Sequence, residues 1–326
     1  MKIKIAIAII AATALLSCGR ESVGESANVA PMAEIAYEAL KLPDGEVDEE
    51  VDEYVAKCAA PYPTEYQAMM KVTGCNSASE WIRTDAVKVF APAVDSLGVR
   101  TKDVAMELGA ILGNAERLGL DIGKKGYATA VWGKPQSILM CDSVMLIALN
   151  HYLGAEYEGY SSMPTYRRTT KTPEMLPYDM AEALVATRYP YKETEEAKVI
   201  NRLVYEGILT EAKMQLVADA DKTGALGYSE EELKWLEENE SEIWRQMVGT
   251  KMIFDGSESV AGRLVDPSPA TLLISNSTPG RAGRYIGYKI VKAYLDSHPD
   301  AGLSGLLNGE LYTESNPLSK AGYTPK

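Results

Sequence analysis

The segment TPGRAGRYIGYKIVKAYL, Thr278 to Leu295, sets Gly280, Gly283 and Gly287 three and four residues apart. That spacing is neither the G-x-G-x-x-G turn of a dinucleotide site nor the G-x-x-x-x-G-K-[ST] phosphate loop. It is the spacing of one helix face, shared with Ile290, Val291 and Tyr294. Pro279 at the first helical position, with Thr278 or Ser277 as cap, predicts the start. Each glycine costs a helix about 1 kcal/mol relative to alanine, so three on one face require a second element packed close against them. A weak anion site at the helix N-terminus, using Arg281, is the alternative.

Arg284 falls on the glycine face, away from Arg281, Lys289 and Lys292, and a half-buried arginine needs a carboxylate. The long helical stretch ETEEAKVINRLVYEGILTEAKMQLVADA, about residues 193–220, offers Glu206 and Glu211. Against this stands a plainer arrangement, with Glu206 paired to Arg202 on a solvated face and Glu211 at its edge.

Elsewhere the pattern is mostly helical. From Ala30 to Leu120 five segments are separated by Pro and Gly: MAEIAYEALKL, VDEEVDEYVAKCA, TEYQAMMKV, SASEWIRTDAVKVFAPAV and TKDVAMELGAILGNAERLGL. YATAVWG and SILMCDSVMLIAL, either side of KPQ, read as two short apolar strands. A polar loop from Gly154 to Leu176 precedes the helix PYDMAEALVATRY. A further helix opens at Ser229, with Glu232 completing a capping box, and runs through Trp235 and Trp244 to about Phe254. The expected fold is α+β, mainly α, in a single domain over residues 31–326 with a small central sheet.

The first residues set the compartment. MKIKIAIAIIAATALLS carries Lys2 and Lys4 ahead of an apolar run too short to span a bilayer, so residues 1–17 read as a secretory signal. The run ends in LLSC, which resembles a bacterial lipobox: cleavage before Cys18, then lipidation of its thiol and new amine. At about 0.8 kcal/mol per buried methylene, three acyl chains anchor a protein stably where one does not. Residues 18–30 then form a flexible tether. Gly19 is not the aspartate of the inner-membrane retention rule, so the expected placement is the outer membrane, lipid-anchored, with the body facing the periplasm or the cell surface.

The formal charge of −13 becomes more negative once Lys2 and Lys4 are removed, which argues against nucleic acid as a partner. Three cysteines then remain. Cys141 lies in an apolar run and reads as a buried thiol, leaving Cys58 and Cys75 as the candidate disulfide. No cofactor or metal is expected: His151 and His298 are far apart, and neither H-E-x-x-H nor G-x-S-x-G occurs. His151 reads as a capping or surface residue and His298 as a helix C-cap.

Four segments, NHYLGAEYEGY, RLVYEGILTEA, ENESEIWRQMV with TKMIFD, and STPGRAGRYIGYKIVKAYL, together resemble the gliding-motility-associated lipoprotein of the B type found in Bacteroidota. The resemblance covers about residues 125–326. It implies non-enzymatic support of gliding, or of the secretion machinery coupled to it, with other envelope proteins as partners. YEGILTEA also resembles the glutamate-bearing helix of thermolysin-like zinc peptidases. With Glu206 at the third-ligand position, Ala181 and Val185 stand where the two histidines would be and Glu182 where the general base would be. A zincin-like domain with a lost metal site is implied. The rival reading is an envelope hydrolase using Glu206, Glu211 or Glu182 with a metal recruited through oxygen ligands. Nineteen tyrosines against two phenylalanines suit contact surfaces, or else half-buried positions that phenylalanine would otherwise fill.

Overall fold

The computed structural model describes residues 25–42, 48–97, 99–123 and 125–325. The signal segment, Cys18 and the tether up to residue 24 lie outside the described residues. The remainder of the expected tether is packed. Ala27 N–H donates to the Ala105 carbonyl (2.9 Å), and Ala30 exchanges bonds with Tyr127 and Thr129 across the sheet edge. The folded body therefore includes residues 25–30.

The N-terminal part is helical: α1 (Met32–Leu40), α2 (Asp48–Ala59), α3 (Pro63–Thr73), α4 (Ala78–Ile82), α5 (Asp85–Leu97) and α6 (Thr101–Arg117). SASEWIRTDAVKVFAPAV is two helices, because the Thr84 hydroxyl donates to the Trp81 carbonyl and caps the turn between them. Cys58 and Cys75 are free thiols, so the expected bridge is absent; Cys141 is free and buried as expected. The pairing of Cys58 with Cys75 rested on elimination, whereas a disulfide requires the two Cα atoms to lie within about 7 Å.

The sheet has three strands rather than two: β1 (Gly126–Ala130), β2 (Ile138–Cys141) and β3 (Val144–Ala148), in the order β1-β3-β2. SILMCDSVMLIAL is a hairpin. It turns at Asp142, whose φ of +52° is the left-handed conformation Asp tolerates, and Lys71 pairs with that carboxylate. β3 is buried along its whole length, parallel to β1 and antiparallel to β2.

Next come α7 (Thr165–Arg168), α8 (Leu176–Arg188), α9 (Val199–Leu216), α10 (Lys222–Leu226), α11 (Glu230–Glu238), α12 (Glu240–Gly249), α13 (Glu258–Val265), α14 (Ala282–Ser297), α15 (Leu303–Leu307) and α16 (Pro317–Ala321). α9 starts six residues after Glu193, where Asn201 accepts from the Lys198 N–H and donates to the carbonyls of Tyr312 and Glu314. The Ser229–Glu232 capping box forms as expected, but the helix breaks at Asn239, whose amide donates to the Trp235 carbonyl.

α14 also begins later than expected. Thr271 donates to the Pro279 carbonyl (2.6 Å) and accepts from Ala282 N–H (3.0 Å), holding Pro279 and Gly280 in a turn, and Arg281 caps the helix at φ +63°. Gly280 is thus outside the helix. It lies against the Ser268 carbonyl, where a Cβ would approach to 1.9 Å.

The close partner demanded by the glycine face is α9. A Cβ on Gly287 would lie 1.8 Å from the Leu203 carbonyl oxygen, and one on Gly207 would lie 2.2 Å from the Gly287 carbonyl carbon. Gly283 meets Leu203 and the Leu264 carbonyl of α13. Close packing on the helix face fits Gly283 and Gly287, while Gly280 makes its close approach outside the helix. The tyrosines take the second of their two expected roles: Tyr152, Tyr285, Tyr294 and Tyr312 are among the largest fully buried side chains. Most buried tyrosines give the hydroxyl a partner, such as Asn150 O for Tyr160 and Glu240 for Tyr285.

Candidate functional site

Three helices converge on a buried ion network. On α8, Asp179 and Glu182 are three residues apart and share a face. On α9, Glu206 and Lys213 lie two turns apart, and α14 supplies Arg284. The Arg284 guanidinium grips Glu182 with both terminal nitrogens, Nη2 to Oε1 at 2.9 Å and Nη1 to Oε2 at 3.2 Å. Nη2 also reaches Glu206 Oε2 at 2.8 Å. Glu206 Oε1 takes Arg202 at 2.8 Å, and Glu182 Oε2 takes Lys213 Nζ at 2.6 Å. Tyr152 donates to Asp179 Oδ2 at 2.9 Å.

Within the ion pairs Glu182 and Glu206 stand against Lys213, Arg202 and Arg284, with Asp179 beside them, and such pairing is the condition for placing ions away from water. Glu206 is 2% exposed, Lys213 5% and Arg284 16%. Burial pushes the Glu182 carboxyl up, but Arg284 and Lys213 overcome it and hold it well below the usual carboxylate range. Asp179 moves the other way, raised by burial and by the negative Glu182 beside it. Burial lowers Lys213 against the attraction of Glu182. Burial also disfavours the Arg284 charge, yet Glu182 and Glu206 outweigh it and keep the guanidinium firmly protonated.

The expected carboxylates divide. Glu206 bridges Arg284 and Arg202, but at 2% exposure it is buried, not on the solvated face that the plainer arrangement required. Glu211 does not reach Arg284; it accepts from Gln215 at 2.8 Å and faces Lys292 at 3.6 Å. The main partner of Arg284 is Glu182, the residue placed at the general-base position by the peptidase resemblance. Glu182 and Glu206 thus meet at one point, with a guanidinium between them, while Ala181 and Val185 are fully buried apolar residues. Asp179 and Lys213 were not foreseen. Their signal is the D-x-x-E spacing in PYDMAEALV and the seven-residue step from Glu206 to Lys213.

His151 is buried rather than at the surface. Its Nε2 lies 3.0 Å from the Lys134 carbonyl, and its Nδ1 accepts from Lys171 Nζ at 2.8 Å. Burial first, then the Lys171 charge, lowers its pKa to about 4. His298 caps α14 as expected and stacks on Tyr294 at 4.3 Å. Between pH 4 and 6.5 the unfolded chain binds the His151 proton and the folded chain does not, so this residue makes stability fall as pH drops through that window. The shift from 6.5 is worth about 3 kcal/mol. Urea titrations at pH 7 and pH 4.5 should show a larger acid loss for the wild type than for His151→Gln; equal losses would mean the imidazole is not held neutral.

Among the described residues no cluster of His, Cys, Asp and Glu is arranged to hold a metal, and no helix is long and apolar enough to cross a membrane. The family model described as gliding motility protein GldB matches residues 127–325, more than half of the chain. The chain belongs to this family. No curated protein and no solved structure matched it. The GldB match begins within β1 and takes in α8, α9 and α14, so the whole ion network lies inside the family's region, whereas α1 to α6 lie outside it. Membership carries a role in gliding motility.

Proposed function

We propose that this GldB-family chain is a lipoprotein anchored at the outer membrane through Cys18 and supporting the gliding apparatus, or the secretion machinery coupled to it, through protein contacts without catalysis. The observation that carries the reading is the family match over residues 127–325 downstream of an LLSC lipobox. The three carboxylates of the rival hydrolase reading support it further. Glu182 and Glu206 are engaged by Arg284, Lys213 and Arg202, and Glu211 by Gln215 and Lys292. The meeting of Glu182 and Glu206 agrees with the resemblance to zinc peptidases, and Arg284 and Lys213 supply the positive charge beside them.

Metabolic labelling with an alkyne fatty acid tests the anchor. The wild type is expected to carry the label and Cys18→Ala to lack it; equal labelling of both removes the anchor from the proposal. Elemental analysis of purified protein tests the absence of catalysis, with sub-stoichiometric metal expected. Stoichiometric zinc together with peptide hydrolysis that is lost in Glu182→Gln would restore the hydrolase reading.

A further inference from the structure

Beside the ion network lies a cavity of about 420 Å³, between the loop carrying α7 and the turn before α14. Its charged lining is Arg167, Lys171, Arg281 and Glu232. The excess of cations is unusual in a chain of net charge −13. None of the three cations forms an ion pair with a described carboxylate. Lys171 spends its protons on Ser137 Oγ (2.5 Å) and His151 Nδ1 (2.8 Å), two neutral acceptors. An ammonium has three donors, so one remains. Arg281 donates to the Gly227 carbonyl and lies over the Tyr228 ring at 5.3 Å, which leaves most of its five N–H groups for the cavity. The one acid, Glu232, accepts from the Ser229 N–H in the capping box of α11 and offsets one of the three positive charges.

Like charges crowd here. Burial lowers Lys171 and the neighbouring Arg167 lowers it further, although Asp179 pulls the other way. Burial likewise lowers Arg281, and Arg284 adds to it, against the pull of Glu182 and Glu232. Three cations against the single carboxylate of Glu232 leave this partly enclosed space with an excess of positive charge that an anion would offset, and arginine with lysine is the pairing that takes phosphate oxygens. The hydroxyls of Thr170 and Ser268 add polar contacts, and Tyr166 with Tyr228 gives an aromatic wall for a small organic group.

We propose that this cavity is a binding site for a soluble phosphomonoester, held by Arg281, Lys171 and Arg167. A dianion matches the net excess of two positive charges, three cations less Glu232, better than a single carboxylate does, and the chain's overall negative charge disfavours approach to an anionic lipid surface. The proposal is independent of the anchor and of the role in gliding. Both can fail while it stands.

Isothermal titration of the full chain with glycerol 3-phosphate tests it, with glycerol as the uncharged control. Saturable binding is expected for the phosphate ester alone. Arg281→Gln should weaken it about tenfold, the value of one charge-assisted hydrogen bond. Arg167 stands at the exposed rim, so Arg167→Gln should fold as the wild type does and still bind more weakly, which separates ligand loss from misfolding. Arg245→Gln, a surface change elsewhere, should bind like the wild type. Absence of saturable binding at millimolar concentration, or wild-type affinity in both Arg281→Gln and Arg167→Gln, overturns the site. Binding to phosphatidic acid vesicles but not to glycerol 3-phosphate overturns the soluble ligand in favour of a lipid headgroup.

Discussion

Gly287→Ala is expected to destabilise the chain by about 3 kcal/mol, the upper end of the usual cost of overpacking. The added methyl would sit 1.8 Å from the Leu203 carbonyl oxygen and 2.6 Å from its carbon, both backbone atoms of α9. No rotamer change relieves such a contact. Either α14 withdraws from α9 or both helices deform, and the neighbouring Gly207, whose own Cβ would meet Gly287 and Tyr288, shows that the approach is close from both sides. Alanine is intrinsically better than glycine in a helix by about 1 kcal/mol, which offsets part of the loss without reversing it. Gly249, at the end of α12, has nothing within 4 Å of a Cβ, so Gly249→Ala should be neutral or slightly stabilising. Urea midpoints decide the matter, with the denaturant slope unchanged. Equal midpoints for Gly287→Ala and Gly249→Ala would mean that the two backbones do not cross there.

That crossing was legible in the sequence because glycine in a helix has an energetic cost, and three at helical spacing leave few reasons other than close packing. Its partner was legible only in part. Glu206 and Glu211 stand five residues apart on α9, about 140° around the axis, so the two cannot both face Arg284. Which one does depends on how α9 is rotated against α14, and that is set by Gly207 fitting Gly287. Glu182 lay on a third helix, and nothing local to α14 announces it. The hairpin in SILMCDSVMLIAL was hidden for a related reason. The turn there rests on the left-handed Asp142, while the apolar pattern runs on through both sides. Tyrosine usage was ambiguous because the hydroxyl partners that permit burial, among them Asp179 and Glu240, come from distant positions in the chain. His151 was misplaced because its two acceptor and donor contacts, Lys134 and Lys171, come from loops on either side of β2 and β3.

The largest single-residue effect is expected at Arg284. Its removal in Arg284→Ala leaves Glu182 without its strongest attraction and Glu206 with Arg202 alone, and breaking a buried ion pair from one side costs about 3 to 5 kcal/mol. A surface arginine such as Arg245, 71% exposed and paired to Glu242 among the described residues, should cost within about 0.5 kcal/mol when truncated. The pH dependence distinguishes a lost ion pair from a simple loss of packing. In the wild type the Glu182 pKa is depressed, so its contribution is present above the ordinary carboxylate pKa and is lost as pH falls through the folded value. In Arg284→Ala burial acts on Glu182 with only Lys213 to oppose it, so its pKa rises, and protonation relieves the orphaned charge as pH falls. The stability gap between wild type and variant should therefore narrow from pH 7 towards pH 5. A gap that stays constant across that range would assign the loss to packing of the arginine stem, and a gap no larger than that of Arg245→Ala would mean that the three helices are not held together by these ions.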